Sequence, residues 1–235
     1  LNSARPRIPA NQFLRAALLV MAAAAMLLLS VVLGIAIGET DISARIVYEV
    51  LANRLLGTSY PIDPINTGIV WNYRLTRALV AASCGAGLAV SGVILQSLLR
   101  NALAEPYLLG ISAGASTGAV LVSVVGLGAG FISMTTGAFF GAVSAFALVA
   151  LLAHAAGNGG LRNGGQIVLA GIAGSQLFNA LTSLIITKSG SAEQARGIMF
   201  WLLGNLSGVR WPDTILTASV ALAGLLVCLL HARSL

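Results

Sequence analysis

The chain has 235 residues, 13 Lys+Arg against 7 Asp+Glu, and 9% charged beside 57% hydrophobic residues, where a soluble domain carries about 25% charge. With a mean hydropathy of +0.93 there is too little polar surface to cover a water-facing globule, which excludes a soluble domain and makes lipid the solvent for much of the chain. All the cations but Lys188 are arginines, scattered at the ends of apolar runs; this membrane-flanking placement excludes a phosphate-binding patch, and with it nucleic acid as a partner.

A charge at the centre of a spanning helix costs about 2.5–3.5 kcal/mol on the insertion scale, so the gaps between charges map the spans. The first gap predicts a span over residues 15–38, entered through Arg5, Arg7 and Arg15 and too long for a signal-peptide core. Glu39 to Tyr73 is polar, but Ile42, Ile46, Val50 and Leu51 recur at helical spacing. A short surface helix and a Pro61/Pro64 loop are therefore expected before a second span at 76–99. The uncharged run from Pro106 to Leu161 is too long for one crossing, and Gly126, Gly128 and Gly130 divide it into spans at 106–125 and 131–155. A fifth span is predicted at 163–187. Gly197 to Val209 is apolar yet too short to cross, so a short external helix is placed at 193–206, before Trp211-Pro212-Asp213 opens a sixth span at 213–232. The chain reads as an all-α polytopic membrane protein, one transmembrane domain over 1–235. Both ends are placed in the cytoplasm, because Arg5, Arg7 and Arg15 precede the first span with no acid among them.

Close packing between helices in lipid needs small residues at four-residue spacing. Gly110, Gly114 and Gly118 form such a stripe, Gly137 and Gly141 another, and Ser83, Gly87 and Ser91 a third. Gln176, Asn179, Ser183 and Thr187 fall on one face of the fifth span, either lining a translocation pathway or making hydrogen bonds between helices. Gly110 to Gly114 also matches the G-x-S-x-G nucleophile elbow, with Ser112 as its serine. That elbow needs a strand-turn-helix and a nearby base, and the only histidines are the distant His154 and His231, so no catalytic residue is assigned. Cys84 and Cys228 lie in apolar runs without CxxC spacing, so no metal ligand is assigned either, and no GxxxxGK[ST] is present to hold ATP.

The run from Arg74 to Ser116, RLTRALVAASCGAGLAVSGVILQSLLRNALAEPYLLGISAGAS, closely resembles the permease subunits of FecCD-type ABC importers, which take up iron-siderophore complexes, haem or cobalamin. It carries four of that family's elements in order: the arginine pair Arg74/Arg77, Ser91-Gly92 to Gln96, the turn from Arg100 and Asn101 to Glu105 and Pro106, and the helix start Gly110 to Ala115. The likeness continues through 169–185 and 193–213, with Thr76 and Ala102 standing where the family usually has proline. The resemblance implies a ten-helix subunit, of which six helices are present and the chain stops before the cytoplasmic coupling helices. It implies a second permease subunit, identical or not, two ABC ATPases that carry the ATP and Mg, and a periplasmic or lipid-anchored binding protein, all at a bacterial cytoplasmic (inner) membrane. By motif position Arg74 and Arg77 are the candidates for docking the binding protein, with anchoring at the lipid headgroups as the alternative. The family's fifth helix lines the pathway, which matches the face of Gln176, Asn179, Ser183 and Thr187. The expected function is import of an iron chelate, siderophore or haem, by a transport subunit that is not itself an enzyme and binds no cofactor. An ATPase-independent secondary transporter or channel is the alternative, and an intramembrane serine hydrolase using Ser112 a remote one.

Overall fold

A computed structural model describes residues 10–125, 132–155, 164–188 and 191–231. The glycine turn expected at 126–130 lies outside the described residues, as do Arg5, Arg7, Arg162 and Arg233. Among the described residues every regular element is a helix. In chain order these are α1 (Ala10–Ala36), α2 (Ala44–Leu56), α3 (Pro64–Gly68), a π-helical turn (Ile69–Arg74), α4 (Leu75–Leu99), a 3₁₀ turn (Pro106–Leu109), α5 (Ile111–Val125), α6 (Met134–Ala155), α7 (Gly164–Thr187), α8 (Ala192–Leu203) and α9 (Trp211–His231). The chain is thus an all-helical, polytopic membrane protein, with α1, α3 through α4, α6, α7 and α9 each long and apolar enough to cross.

Local chemistry sets these boundaries. Ser43 caps α2 by accepting the Ile46 N–H, and Gly57, at φ 70°, ends it in the left-handed conformation. In the first turn of α2 Arg45 donates to Glu49 at 2.8 Å, and this bond with the neighbouring negative charge holds the guanidinium pKa above its ordinary value. Asp63 caps α3, Pro64 occupies its first turn, and the helix runs on through the π turn into α4, so the second span begins well before the expected residue 76.

The expected helix at 106–125 is divided. Pro106–Leu109 is a 3₁₀ turn, Gly110 follows at φ 69°, and α5 starts only at Ile111. The 15 described residues of α5 rise about 22 Å. A left-handed residue cannot continue a right-handed helix, and glycine is the residue that adopts it without a Cβ penalty.

The residues group into two compact units: 1–86 with 206–222, and 87–205 with 223–235. The first has a core of Ile35, Ile42, Val47, Val50, Val70 and Leu75, with Val50 and Val70 wholly buried. The second is built on α5 against α6. A Cβ at Gly114 would stand 2.5 Å from the Gly141 carbonyl oxygen, and one at Gly137 would stand 2.6 Å from that of Gly118. The stripes of α5 and α6 therefore face each other at backbone contact, a separation that any side chain would forbid. Gly110 is not part of that interface: it lies outside α5, and a Cβ there would meet the Ser175 N and Oγ of α7 at 3.4 Å. On α4, a Cβ at Gly87 would meet nothing within 4 Å and Ser91 is exposed, so at these two positions the third stripe makes no close backbone approach of the α5–α6 kind.

Candidate functional site

Arg74 closes the π turn that precedes α4. A π turn carries an extra residue relative to an α turn and so re-aims the side chains that follow it. Arg74 is 7% exposed, and its Nη1 donates to the carbonyl oxygens of Ile35 (3.1 Å) and Ala36 (2.9 Å) while Nη2 donates to that of Thr40. Ile35 and Ala36 end α1, where the last carbonyls have no intrahelical donor and the helix dipole favours a cation. Gly38 makes room for this cap, since a Cβ there would lie 2.8 Å from the guanidinium carbon. Beside it Thr76 is wholly buried, its hydroxyl donating to the Asn72 carbonyl at 2.8 Å with Tyr73 O as a second acceptor at 3.1 Å.

Arg77 has the opposite setting. It is exposed, its Nη2 reaches only Ser207 O, at a long 3.4 Å, and its guanidinium carbon stands 5.9 Å from the centre of the Tyr73 ring. Asn72, Tyr73 and the segment Ser207–Pro212 line an open polar cleft of about 540 Å³ at this point. Arg210 lines it as well, an arginine that no sequence motif singles out. Its backbone N–H donates to Asp213 Oδ2 at 3.0 Å, the reach-back bond of a helix N-terminus, so this carboxylate is occupied in starting α9. Neither Arg77 nor Arg210 has a carboxylate partner among the described residues. Trp211, also on the cleft, stacks on Trp71 at 4.9 Å and keeps its buried indole N–H without an acceptor. Arg77 and Arg210 thus stand beside the cleft without a carboxylate partner, a setting that favours a carboxylate-bearing ligand. Nothing local in sequence marks Arg210, because the contact that brings its segment to Arg77 spans 130 positions.

On α7 the residues Gln176, Asn179, Ser183 and Thr187 are all exposed, whereas Ile167, Gly171, Gly174 and Thr182 are buried on the other side. Ser183 and Thr187 return their hydroxyls to carbonyls of their own helix, at 3.0 and 2.8 Å. The hydrogen bonds between helices come from the opposite face, where the Thr117 and Thr182 hydroxyls meet at 2.7 Å and Thr117 also reaches Phe178 O at 2.8 Å. The exposed face thus presents the amides of Gln176 and Asn179 beside two hydroxyls that are bonded within the helix, and in an apolar span such amides call for water or a polar partner.

The remaining motif residues form the turn from α4 to α5. Gln96 O accepts the Asn101 N–H, Arg100 takes φ 48° at the helix end, Asn101 Oδ1 accepts from Leu103 N, and Glu105 is exposed ahead of Pro106. Ser91 and Ser112 line an apolar cavity of about 570 Å³ in the second unit, while a Cβ at Gly92 would meet nothing within 4 Å. No histidine, carboxylate or lysine lines that cavity, so Ser112 has no base within reach there. Among the described residues no group of three His, Cys, Asp or Glu side chains is placed to hold a metal ion.

An all-helical chain with five helices long and apolar enough to cross, one of them polar along an exposed face, is a polytopic membrane protein. This chain belongs to the FecCD transport family, whose profile matches residues 26–235. It is 33% identical over 216 residues to the ABC transporter permease protein YvrB of Bacillus subtilis, covering 89% of this chain and 59% of YvrB. To the hemin transport system permease protein HmuU of Yersinia pestis it is 36% identical, over 71% of this chain and 50% of HmuU. To the cobalamin import system permease protein BtuC of Halobacterium salinarum it is 37% identical, over 71% and 44%. A solved metal-chelate type ABC transporter in an inward-facing conformation superposes with a TM-score of 0.65 at 27% identity, over 84% of this chain and 56% of that one. The chain spans about half the length of the curated relatives it matches.

Proposed function

We propose that this chain is the permease part of a binding-protein-dependent ABC importer for an iron chelate, siderophore or haem, in a bacterial cytoplasmic membrane with its N-terminus inside. The observation that carries the proposal is the exposed polar face of α7 in a chain of the FecCD family. Relatives named for hemin, iron(3+)-hydroxamate and Fe(3+)-dicitrate transport support a chelated metal as cargo. In this reading Gln176, Asn179, Ser183 and Thr187 line the pathway beside a second permease subunit. ATP and Mg act on two partner ATPases, whose closure rocks the permeases between outward and inward access. Arg77 and Arg210 receive carboxylates of the binding protein at the cleft, and Arg74 holds the end of α1 instead of docking.

Reconstituting the full-length importer in liposomes with its ATPase and binding protein tests this reading. Chelate uptake should require both partners and ATP. Uptake that persists with a hydrolysis-dead ATPase would instead establish a secondary transporter or channel.

A further inference from the structure

We propose that Thr117 of α5 is a positioning residue: its hydroxyl, bonded to Thr182 and to the Phe178 carbonyl, holds α7 at the rotation that turns Asn179, Ser183 and Thr187 away from α5. The inference rests on that face lining the pathway, as proposed above. Polar side chains on a spanning helix serve a pathway only when the helix is turned to present them, so the contacts that fix its rotation bear on transport. α7 is held along one stripe. Its buried residues are Ile167, Gly171, Gly174 and Thr182, while Leu169, Ile172, Leu177, Leu181 and Leu184 are exposed around the rest of the helix.

In the first half of α7 the stripe is fixed by fit. A Cβ at Gly171 would run into the Leu108 carbonyl oxygen, and one at Gly174 would lie 2.7 Å from Val149 Cγ2, so no larger residue of α7 can turn into either place. After Gly174 the helix carries no further glycine, and Thr182 lies about 12 Å further along the axis. There the contact is polar. Thr117 Oγ1 lies 2.7 Å from Thr182 Oγ1 and 2.8 Å from the Phe178 carbonyl oxygen. Within their own helices Thr117 reaches Ala113 O and Thr182 reaches Phe178 O, each at 3.0 Å. Two hydroxyl oxygens 2.7 Å apart share a proton, so a bond joins α5 to α7 whichever hydroxyl donates. Both threonines are buried. Asn179 and Leu177 flank Phe178 and stand about 100° to either side of it, so a turn of α7 in either sense carries one of them toward α5 and the other away.

The test uses the full-length importer with its native cysteines replaced and single nitroxide labels at Asn179→Cys, Leu177→Cys or Phe139→Cys, the last an exposed α6 site of the same unit. Thr117→Val keeps the shape and removes the hydroxyl, whereas Thr117→Ser keeps the hydroxyl. Losing one hydrogen bond between spanning helices should raise the population of other rotations about threefold. This is read as a growing second component in the spectra at Asn179→Cys and Leu177→Cys in Thr117→Val, with Thr117→Ser keeping the parent spectra. Unchanged spectra at both sites in Thr117→Val overturn the proposal. So does a Thr117→Ser protein that matches Thr117→Val, because shape alone would then set the rotation. A changed spectrum at Phe139→Cys also overturns it, since that reports general loosening. A separate arm tests the underlying reading: in the parent, the nitroxide at Asn179→Cys should collide more often with a water-soluble nickel complex than with oxygen, and if oxygen dominates, the pathway assignment falls whatever the Thr117 result.

Discussion

Replacing Arg74 by alanine withdraws the donors from three carbonyl oxygens, those of Ile35, Ala36 and Thr40, at a site where the side chain is 7% exposed. An acceptor left unsatisfied out of water costs about 1–3 kcal/mol. At the low end of that range the three lost bonds together destabilise the first unit by about 3 kcal/mol. For a chain of this size that corresponds to a fall in Tm of about 6–12 °C. Arg74→Lys keeps the charge, but one ammonium cannot fork to Ile35 and Thr40 together, so a loss of about 1–2 kcal/mol remains. The assay is thermal unfolding of the detergent-solubilised protein, run beside the affinity of the full-length importer for its binding protein. Arg77→Ala, at an exposed side chain with a single long hydrogen bond, should leave Tm unchanged. An Arg74→Ala protein that melts within about 2 °C of the parent but has lost binding-protein affinity would refute the capping role and return Arg74 to the docking surface.

Three further predictions follow from the same geometry. Gly38→Ala places a methyl group 2.8 Å from the Arg74 guanidinium, and should lower Tm in the parent but not in the Arg74→Ala background, a non-additivity that a double-mutant cycle reads directly. Arg77→Glu and Arg210→Glu should each weaken binding-protein affinity about tenfold or more without altering membrane insertion or Tm, measured by surface-immobilised binding; unchanged affinity for both would remove the cleft from the docking surface. Gly118→Ala should destabilise the second unit by about 1–3 kcal/mol, because its Cβ meets the Gly137 backbone, whereas Gly92→Ala, with nothing within 4 Å, should be neutral in the same melting experiment.

Helix positions were legible because charge and its absence act locally: a burial cost in lipid falls on each residue whatever it packs against. The gap between Arg77 and Arg100 therefore marked the core of α4, and the gap after Arg162 marked α7, to within a few residues. The order of motifs from Arg74 to Ala115 was enough for the family resemblance, and the small-residue spacing named both halves of the α5–α6 contact without showing that they meet.

Several features needed the folded chain. Arg74 and Arg77 are three positions apart and alike in sequence, yet the π turn sends one to the end of α1 and leaves the other beside a cleft. Gly110 reads as one more glycine in a stripe, but its left-handed backbone ends a 3₁₀ turn and shortens α5. Arg210 and Thr117 carry no local mark, because the contacts that place them span 130 and 61 positions. The sequence by itself determined which segments are apolar enough to enter lipid, since that is a property of each segment alone. Only the tertiary structure decided which polar groups are consumed by the fold and which stay available, because a hydrogen bond is a property of two groups and the chain brings them together only when it folds.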